Sequence, residues 1–118
     1  MTTLTKAEEQ VMKVLWKLGK GMLMEIVEAM PEPIPHKNTV ATILKILVEK
    51  EFVKTESVGR YFVYHPVVSK DAYSKAKLSG MAASYFDGSY SNIVSFLVDE
   101  KKLSVVDLEL LLKQLKKK

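Results

Sequence analysis

The stretch His36-Lys-Asn-Thr-Val-Ala-Thr-Ile-Leu-Lys-Ile-Leu-Val-Glu-Lys50 decides how the rest of the chain is read. Val40, Leu44 and Leu47 recur at i, i+4 and i+7, with Ile43 beside them, which is the spacing of one buried stripe on an amphipathic helix. The opposite face carries Asn38, Ala41, Thr42 and Lys45. A surface helix usually shows long Lys and Glu side chains there. Short polar groups and a methyl let a helix lie close against a grooved partner, and they are types that read base edges in a major groove. An ordinary surface helix with indifferent residues fits this stretch equally well, so its neighbours must decide.

Downstream of Lys50 the apolar period falls to two. Phe52-Val-Lys-Thr-Glu-Ser57 and Arg60-Tyr-Phe-Val-Tyr-His65 predict two strands, joined by a tight turn at Val58-Gly59 and closed by Pro66. Phe62 and Tyr64 share one face and are expected to pack on the helices, while Tyr61 and Val63 share the other. Tyr61 stays open between packing and contact. Arg60, near the tip, is either a phosphate contact or a solvated turn residue.

Upstream, Thr5-Lys-Ala-Glu8 has the form of a capping box ahead of Val11, Val14, Leu15 and Leu18, the buried face of a first helix that Gly19 and Gly21 end. Trp16 is expected to anchor the core. A second helix fits Leu23 to Met30, burying Ile26, Val27 and Met30. Pro31, Pro33 and Pro35 then force an extended link into the third helix. His36, at its entrance, is expected neither to cap the helix nor to touch a phosphate. Three helices followed directly by a hairpin form the winged helix-turn-helix order, with the third helix reading DNA and the hairpin as its wing. The fold class expected is mainly α, a winged helix-turn-helix followed by a helical tail.

Composition is compatible with this. The chain has 118 residues, room for one domain or a small domain plus an oligomerisation segment. It has no cysteine, which excludes disulfides, zinc fingers and Cys-ligated clusters. No secretory or membrane-spanning run is present, so a soluble cytoplasmic protein is the expectation. The net charge is +4, of which residues 1–66 (nine Lys/Arg, eight Asp/Glu) hold +1 and residues 67–118 (nine and six) hold +3. A first half at +1 is not the broad basic footprint of a non-specific nucleic-acid coat. The charge for DNA must come from a local stripe, for which Lys37, Lys45, Lys50, Lys54 and Arg60 are available.

From Ser69 the chain reads as helical again. Ser69 caps a helix to about Tyr85 whose Tyr73, Ala76, Gly80 and Ala83 make a small-residue face. Asp87-Gly88-Ser89 breaks it, a shorter helix runs from Tyr90 to about Asp99, and Ser104-Val-Val-Asp107 is a second capping box. Leu103 to Leu115 carries eight apolar residues in thirteen. A helix apolar over so much of its circumference needs neighbours on several sides. A short three-helix tail can hardly supply them alone, so two tails wrapped together in a homodimer are expected, the alternative being a tail folded back on its own winged helix. Lys116-Lys-Lys118 complements the last helix's C-terminus.

Catalysis has little to work with. The two histidines, His36 and His65, flank prolines in connecting segments, no Gly-rich phosphate loop is present, and a Cys/His metal sensor has no ligands. Neither an enzyme nor a cofactor is expected.

The residues also resemble a known family. Leu4-Thr-Lys-Ala-Glu-Glu-Gln-Val-Met-Lys-Val-Leu-Trp16, Asn38-Thr-Val-Ala-Thr-Ile-Leu-Lys-Ile-Leu47, Glu49-Lys-Glu-Phe-Val53, Tyr61-Phe-Val-Tyr-His-Pro66 and Gly88-Ser-Tyr-Ser-Asn-Ile-Val-Ser-Phe-Leu-Val-Asp-Glu100 occur in the order found in the penicillinase-repressor family, the BlaI, MecI and CopY group. The resemblance implies a dimeric winged-helix repressor on a palindromic operator in promoters of resistance genes. It further implies, for penicillinase-type members, inactivation when a membrane-bound sensor-protease triggers cleavage in the dimerisation domain. Copper-responsive members carry a C-terminal cysteine motif that this chain lacks, so copper sensing is not carried over. Three departures stand out. Arginines common on the family's recognition helix fall at Ala41 and Ile46, the usual glycine after it falls at Glu51, and the scissile Asn-Phe pair aligns near Ser95-Phe96-Leu97, where no Asn precedes Phe.

Two functions from different classes remain at this point. The first is a homodimeric repressor, with residues 1–67 as the DNA-binding domain and 68–118 as the dimerisation domain. Its DNA-binding residues are Lys37, Asn38, Thr39, Ala41, Thr42, Lys45, Lys54, Arg60 and Tyr61. Ile93, Phe96, Leu97, Leu108, Leu111, Leu112 and Leu115 would form its dimer contact, and operator DNA, a second copy and a sensor-protease are its partners. The second is a winged-helix protein-interaction module that uses the same helix as a partner surface.

Overall fold

The computed structural model describes residues 3–116, and the side chains of Leu115 and Lys116 lie outside the described set, as do Lys117 and Lys118 with the expected basic cap. The chain divides into two compact units, residues 1–74 and 75–118.

In the first unit, helix α1 spans Lys6–Leu18, α2 spans Leu23–Ala29 and α3 spans Lys37–Glu49. Strands β1 (Val53–Val58) and β2 (Tyr61–Pro66) pair antiparallel, and α4 (Lys70–Tyr85) begins in this unit. The α1 capping box is present in both directions: the Glu8 amide donates to the Thr5 hydroxyl at 3.2 Å, and the Thr5 amide donates to Glu8 Oε1 at 3.0 Å. Val40, Leu44 and Leu47 are fully buried, as their spacing requires, against Val11, Met12, Leu15, Ile26 and Phe52. Burying side chains of this size contributes about 1.5–3 kcal/mol each, which makes this cluster the main source of the unit's stability.

Helix α3 ends in a Schellman motif. The Phe52 amide donates to the Leu47 carbonyl at 2.9 Å, and the Glu51 amide donates to that of Val48 at 3.0 Å. Phe52 and Leu47 also bury together. The motif puts Glu51 at φ 65°, the left-handed region where glycine carries no steric cost. That is the position where the family's glycine falls.

Glu8 has a second role. Lys50 donates to its Oε1 at 2.7 Å, tying the end of α3 to the start of α1. The Lys50 ammonium holds the nearly buried Glu8 carboxyl below its ordinary value, against the opposing effect of burial. Lys50 therefore leaves the basic stripe, because its charge is spent inside the fold.

The junction of α1 with α4 rests on aromatic side chains. The Trp16 indole N–H donates to the Val68 carbonyl at 2.9 Å. Tyr73, buried, lies tilted against Trp16 and edge-on to Phe52, and its hydroxyl donates to Glu9. Burial first, and the Glu9 carboxylate second, push the Tyr73 hydroxyl up to about 12.

In the second unit, α4 continues to Tyr85, α5 spans Tyr90–Asp99 and α6 spans Val105–Lys116. Asp87 at φ 53° and Gly88 at φ 76° make the break between α4 and α5. Ser89 caps α5, and Ser104 with Asp107 caps α6 in both directions at 3.0 Å. Phe86 packs edge-on to Phe96. Along α4, Tyr73 and Ala82 are buried, while Ala76, Gly80 and Ala83 are exposed.

Candidate nucleic-acid interface

The third helix is positioned by its own buried stripe and by its cap. The His36 Nδ1 accepts from the Asn38 amide at 3.1 Å, so His36 is the N-cap of α3, contrary to the sequence expectation. Imidazole is an uncommon cap, so the residue type alone does not mark it as one. With the core side of α3 seated, Asn38, Thr42 and Lys45 are exposed and Ala41 is half-buried on the outward face. The Thr42 hydroxyl donates to the Asn38 carbonyl at 2.9 Å. Its proton is thereby used, and Thr42 offers its methyl and an acceptor oxygen outward. Lys37 and Thr39, in the first turn, are exposed as well.

A backbone bridge ties the hairpin to the link between the first two helices. Gly21 and Tyr64 exchange backbone hydrogen bonds, at 3.1 Å from the Gly21 amide and 2.8 Å from the Tyr64 amide. The link between α1 and α2 thus acts as a third strand segment at the base of the wing. Val58 pairs with Tyr61, so the turn is Gly59-Arg60, one residue later than expected. Gly59 has φ 61° and Arg60 does not enter the positive region, as the first and second positions of a type II′ turn demand. Arg60 and Tyr61 are both exposed at the tip.

Alternation sorts the remaining residues. Thr55, Phe62 and Tyr64 lie on the hairpin face that forms a cleft with Ala41, Lys45 and Val48 of α3. Lys54 lies on the other face with Glu56 and His65, where His65 Nε2 is 3.1 Å from Glu56 Oε1. The structure therefore gathers Asn38, Ala41, Thr42 and Lys45 on one surface beside the hairpin, and does not bring Lys54 to it. Phe62 is 57% exposed, which corrects the expectation that it packs on the helices. It sits between the α3 cleft and a second cleft walled by Met22, Met24, Arg60 and Tyr61. Period-two spacing reports which face a residue occupies and not how far along the hairpin the core extends, so nothing in the sequence marked Phe62.

The residues expected at a dimer contact fall on α5 and α6. Ile93, Leu97 and Leu108 are half-buried, Phe96 is exposed, and Leu111 and Leu112 are exposed; the Leu115 side chain is outside the described residues. Ser95, exposed, precedes Phe96 and Leu97 in the middle of α5.

Known proteins resemble this chain across most of its length. The Penicillinase repressor of Bacillus licheniformis is 26% identical over 102 residues, covering 86% of this chain and 80% of that protein. The solution structure of the DNA-binding domain of the repressor BlaI superposes with a TM-score of 0.54 at 29% identity, covering 60% of this chain and 88% of that domain. A structure of Bordetella bronchiseptica BpsR, described in connection with regulation of its DNA binding by 6-hydroxynicotinic acid, matches 98% of this chain and 75% of its own. Its TM-score is 0.51 at 18% identity, a likeness of fold. The family model described as Penicillinase repressor matches residues 4–117, so the chain belongs to the penicillinase-repressor family of non-enzymatic, DNA-binding transcriptional repressors.

Proposed function

We propose that this repressor works as a homodimer on a palindromic operator, with α3 of each protomer in a major groove and the Gly59-Arg60 turn on the adjacent phosphate backbone. The observation that carries the reading is the outward face of α3. Asn38 is exposed where a carboxamide can pair with an adenine edge, Ala41 and Thr42 offer methyls suited to thymine, and Lys45 and Lys37 suit phosphates. Lys54, on the far side of the hairpin, meets backbone only where the duplex curves round the wing.

Dimerisation is supported by α6. Val105, Val106, Leu110, Leu111 and Leu112 are 46–63% exposed in the single chain, a larger apolar surface than a monomeric helix leaves in water. Two tails would cover it and would set two α3 helices one duplex turn apart. Operator placement at a resistance-type gene, action in the cytoplasm, and release by a sensor-protease cutting at Ser95, Phe96 or Leu97 are the finer parts of the same reading.

The test is binding of the purified chain to duplex DNA from upstream of its own gene, against a shuffled duplex, across a salt series. Preference for the native duplex, two chains per site and a steep fall with salt are expected. Equal, salt-insensitive binding to both duplexes would contradict it.

A further inference from the structure

A further cleft of the first unit lies away from α3 and the hairpin tip. Its walls are Lys13, Trp16 and Lys17 of α1, Pro66 and Val67 at the end of β2, and Ser69 and Lys70 at the start of α4. It holds about 620 Å³, within the usual range for a small-molecule site. Three lysines line it and no acidic residue does. None of the three lysines belongs to an ion pair among the described residues.

Lys13 and Lys17 stand four residues apart on one helix, a spacing at which like charges repel. Nothing on the cleft wall relieves that repulsion. Ser69 and Lys70 are the cap and first residue of α4, so the positive end of that helix adds to the same field. The rest of the wall is a fixed aromatic and apolar surface. Trp16 is held by its bond to the Val68 carbonyl, and Pro66 and Val67 complete the floor.

We propose that this cleft binds a small multivalent anion that carries a planar ring. The lysines receive the negative charges, and the ring lies against Trp16 and Pro66. The site shares no lining residue with the α3 face or with the clefts beside the hairpin. Occupancy is therefore compatible with bound DNA.

Trp16 is the only tryptophan in the chain, so its fluorescence reports this cleft without a label. The experiment titrates the full-length protein with ADP, adenosine and pyrophosphate. ADP should change the Trp16 signal saturably, pyrophosphate should bind more weakly, and adenosine should not bind. Lys13→Gln with Lys17→Gln should weaken ADP by about tenfold, Lys70→Gln should also weaken it, and Lys45→Gln should not. The same ADP affinity should persist with operator DNA bound. All the replaced lysines are exposed, and unchanged thermal unfolding of each variant checks that the fold is retained.

The proposal is overturned by the absence of a saturable ADP response, or by an affinity indifferent to the Lys13 and Lys17 replacements. Pyrophosphate binding as tightly as ADP would remove the ring from the ligand and overturn it too. Loss of ADP binding in Lys45→Gln, or displacement of ADP by duplex, would move the anion to the DNA face and overturn it likewise.

Discussion

The two units of this repressor differ in where their apolar side chains go. In residues 3–74, a set of hydrophobic side chains is fully buried, Phe52, Met12, Leu15 and Ile26 the largest among them. In the second unit, Ala82 is the one buried hydrophobic residue among those described, while Tyr85, Phe96, Val105, Val106 and Leu112 are half exposed or more. Both units use the same local grammar. Each has capped helix starts, and each ends a helix in a Schellman motif with a non-glycine residue in the left-handed region, Glu51 after α3 and Lys101 after α5. Local structure is therefore well specified throughout, and what separates the units is tertiary burial. The winged helix buries its apolar side chains within one chain, whereas the tail leaves much of its apolar surface open.

The strongest way to break this contrast is to charge the tail. Leu111→Asp with Leu112→Asp should leave the first unit folded and make the protein monomeric. Operator binding should fall by about 10²–10⁴, the loss expected when two linked contacts become separate ones, measured by titration of an operator duplex. In the first unit the comparison runs the other way. Phe52→Ala should cost about 3–5 kcal/mol of unfolding free energy, because a fully buried ring leaves a cavity. Denaturant unfolding should show that cost to be independent of protein concentration, which separates it from any tail variant.

On the DNA face, Asn38→Ala should reduce the preference for operator over random duplex by about 1–3 kcal/mol. Arg60→Ala should weaken both duplexes alike and lower the salt slope by about one. Equal losses on both duplexes for Asn38→Ala would remove it from base reading.

Stability against pH sharpens the account of the first unit at both ends. Tyr73 is raised to about 12, so its folded-state preference is for the neutral hydroxyl. Its contribution is full below the unfolded value near 10.0 and is lost as pH rises through about 12. Glu8 is lowered from 4.5, so its contribution is full above that value and is lost as pH falls through the folded one. Tyr73→Phe should remove about 1–2 kcal/mol of the alkaline loss seen in the parent protein, and Glu8→Gln should flatten the acid limb, both read from denaturation midpoints. The smallest effect is at the helix end. Glu51→Gly should stabilise by about 0.5–1 kcal/mol, as relief at φ 65° outweighs the added freedom of the unfolded chain.

Much of this was legible in the sequence, for reasons that are local. The stripe Val40, Leu44, Leu47 and the box Thr5–Glu8 depend on spacing alone, and α5 is observed over the expected Tyr90–Asp99. The hairpin shifted by one residue because a glycine serves either position of a two-residue turn, and only the strand register distinguishes them. Distant partners were invisible. Lys50 read as a free cation because its acceptor, Glu8, is 42 residues away. Phe62 read as a packing residue because alternation cannot tell the seated base of a hairpin from its projecting tip. The capping role of His36 depends on a ring nitrogen meeting one particular amide, which spacing does not encode.

The most direct test of the contrast between the units is the mass of the purified full-length chain, by sedimentation equilibrium at micromolar concentration without DNA. A species of twice the chain mass, converted to the single-chain mass by Leu111→Asp with Leu112→Asp, is the result predicted. A parent protein that sediments as a single chain at all concentrations would contradict it, and would mean that the tail's apolar surface is satisfied within one molecule.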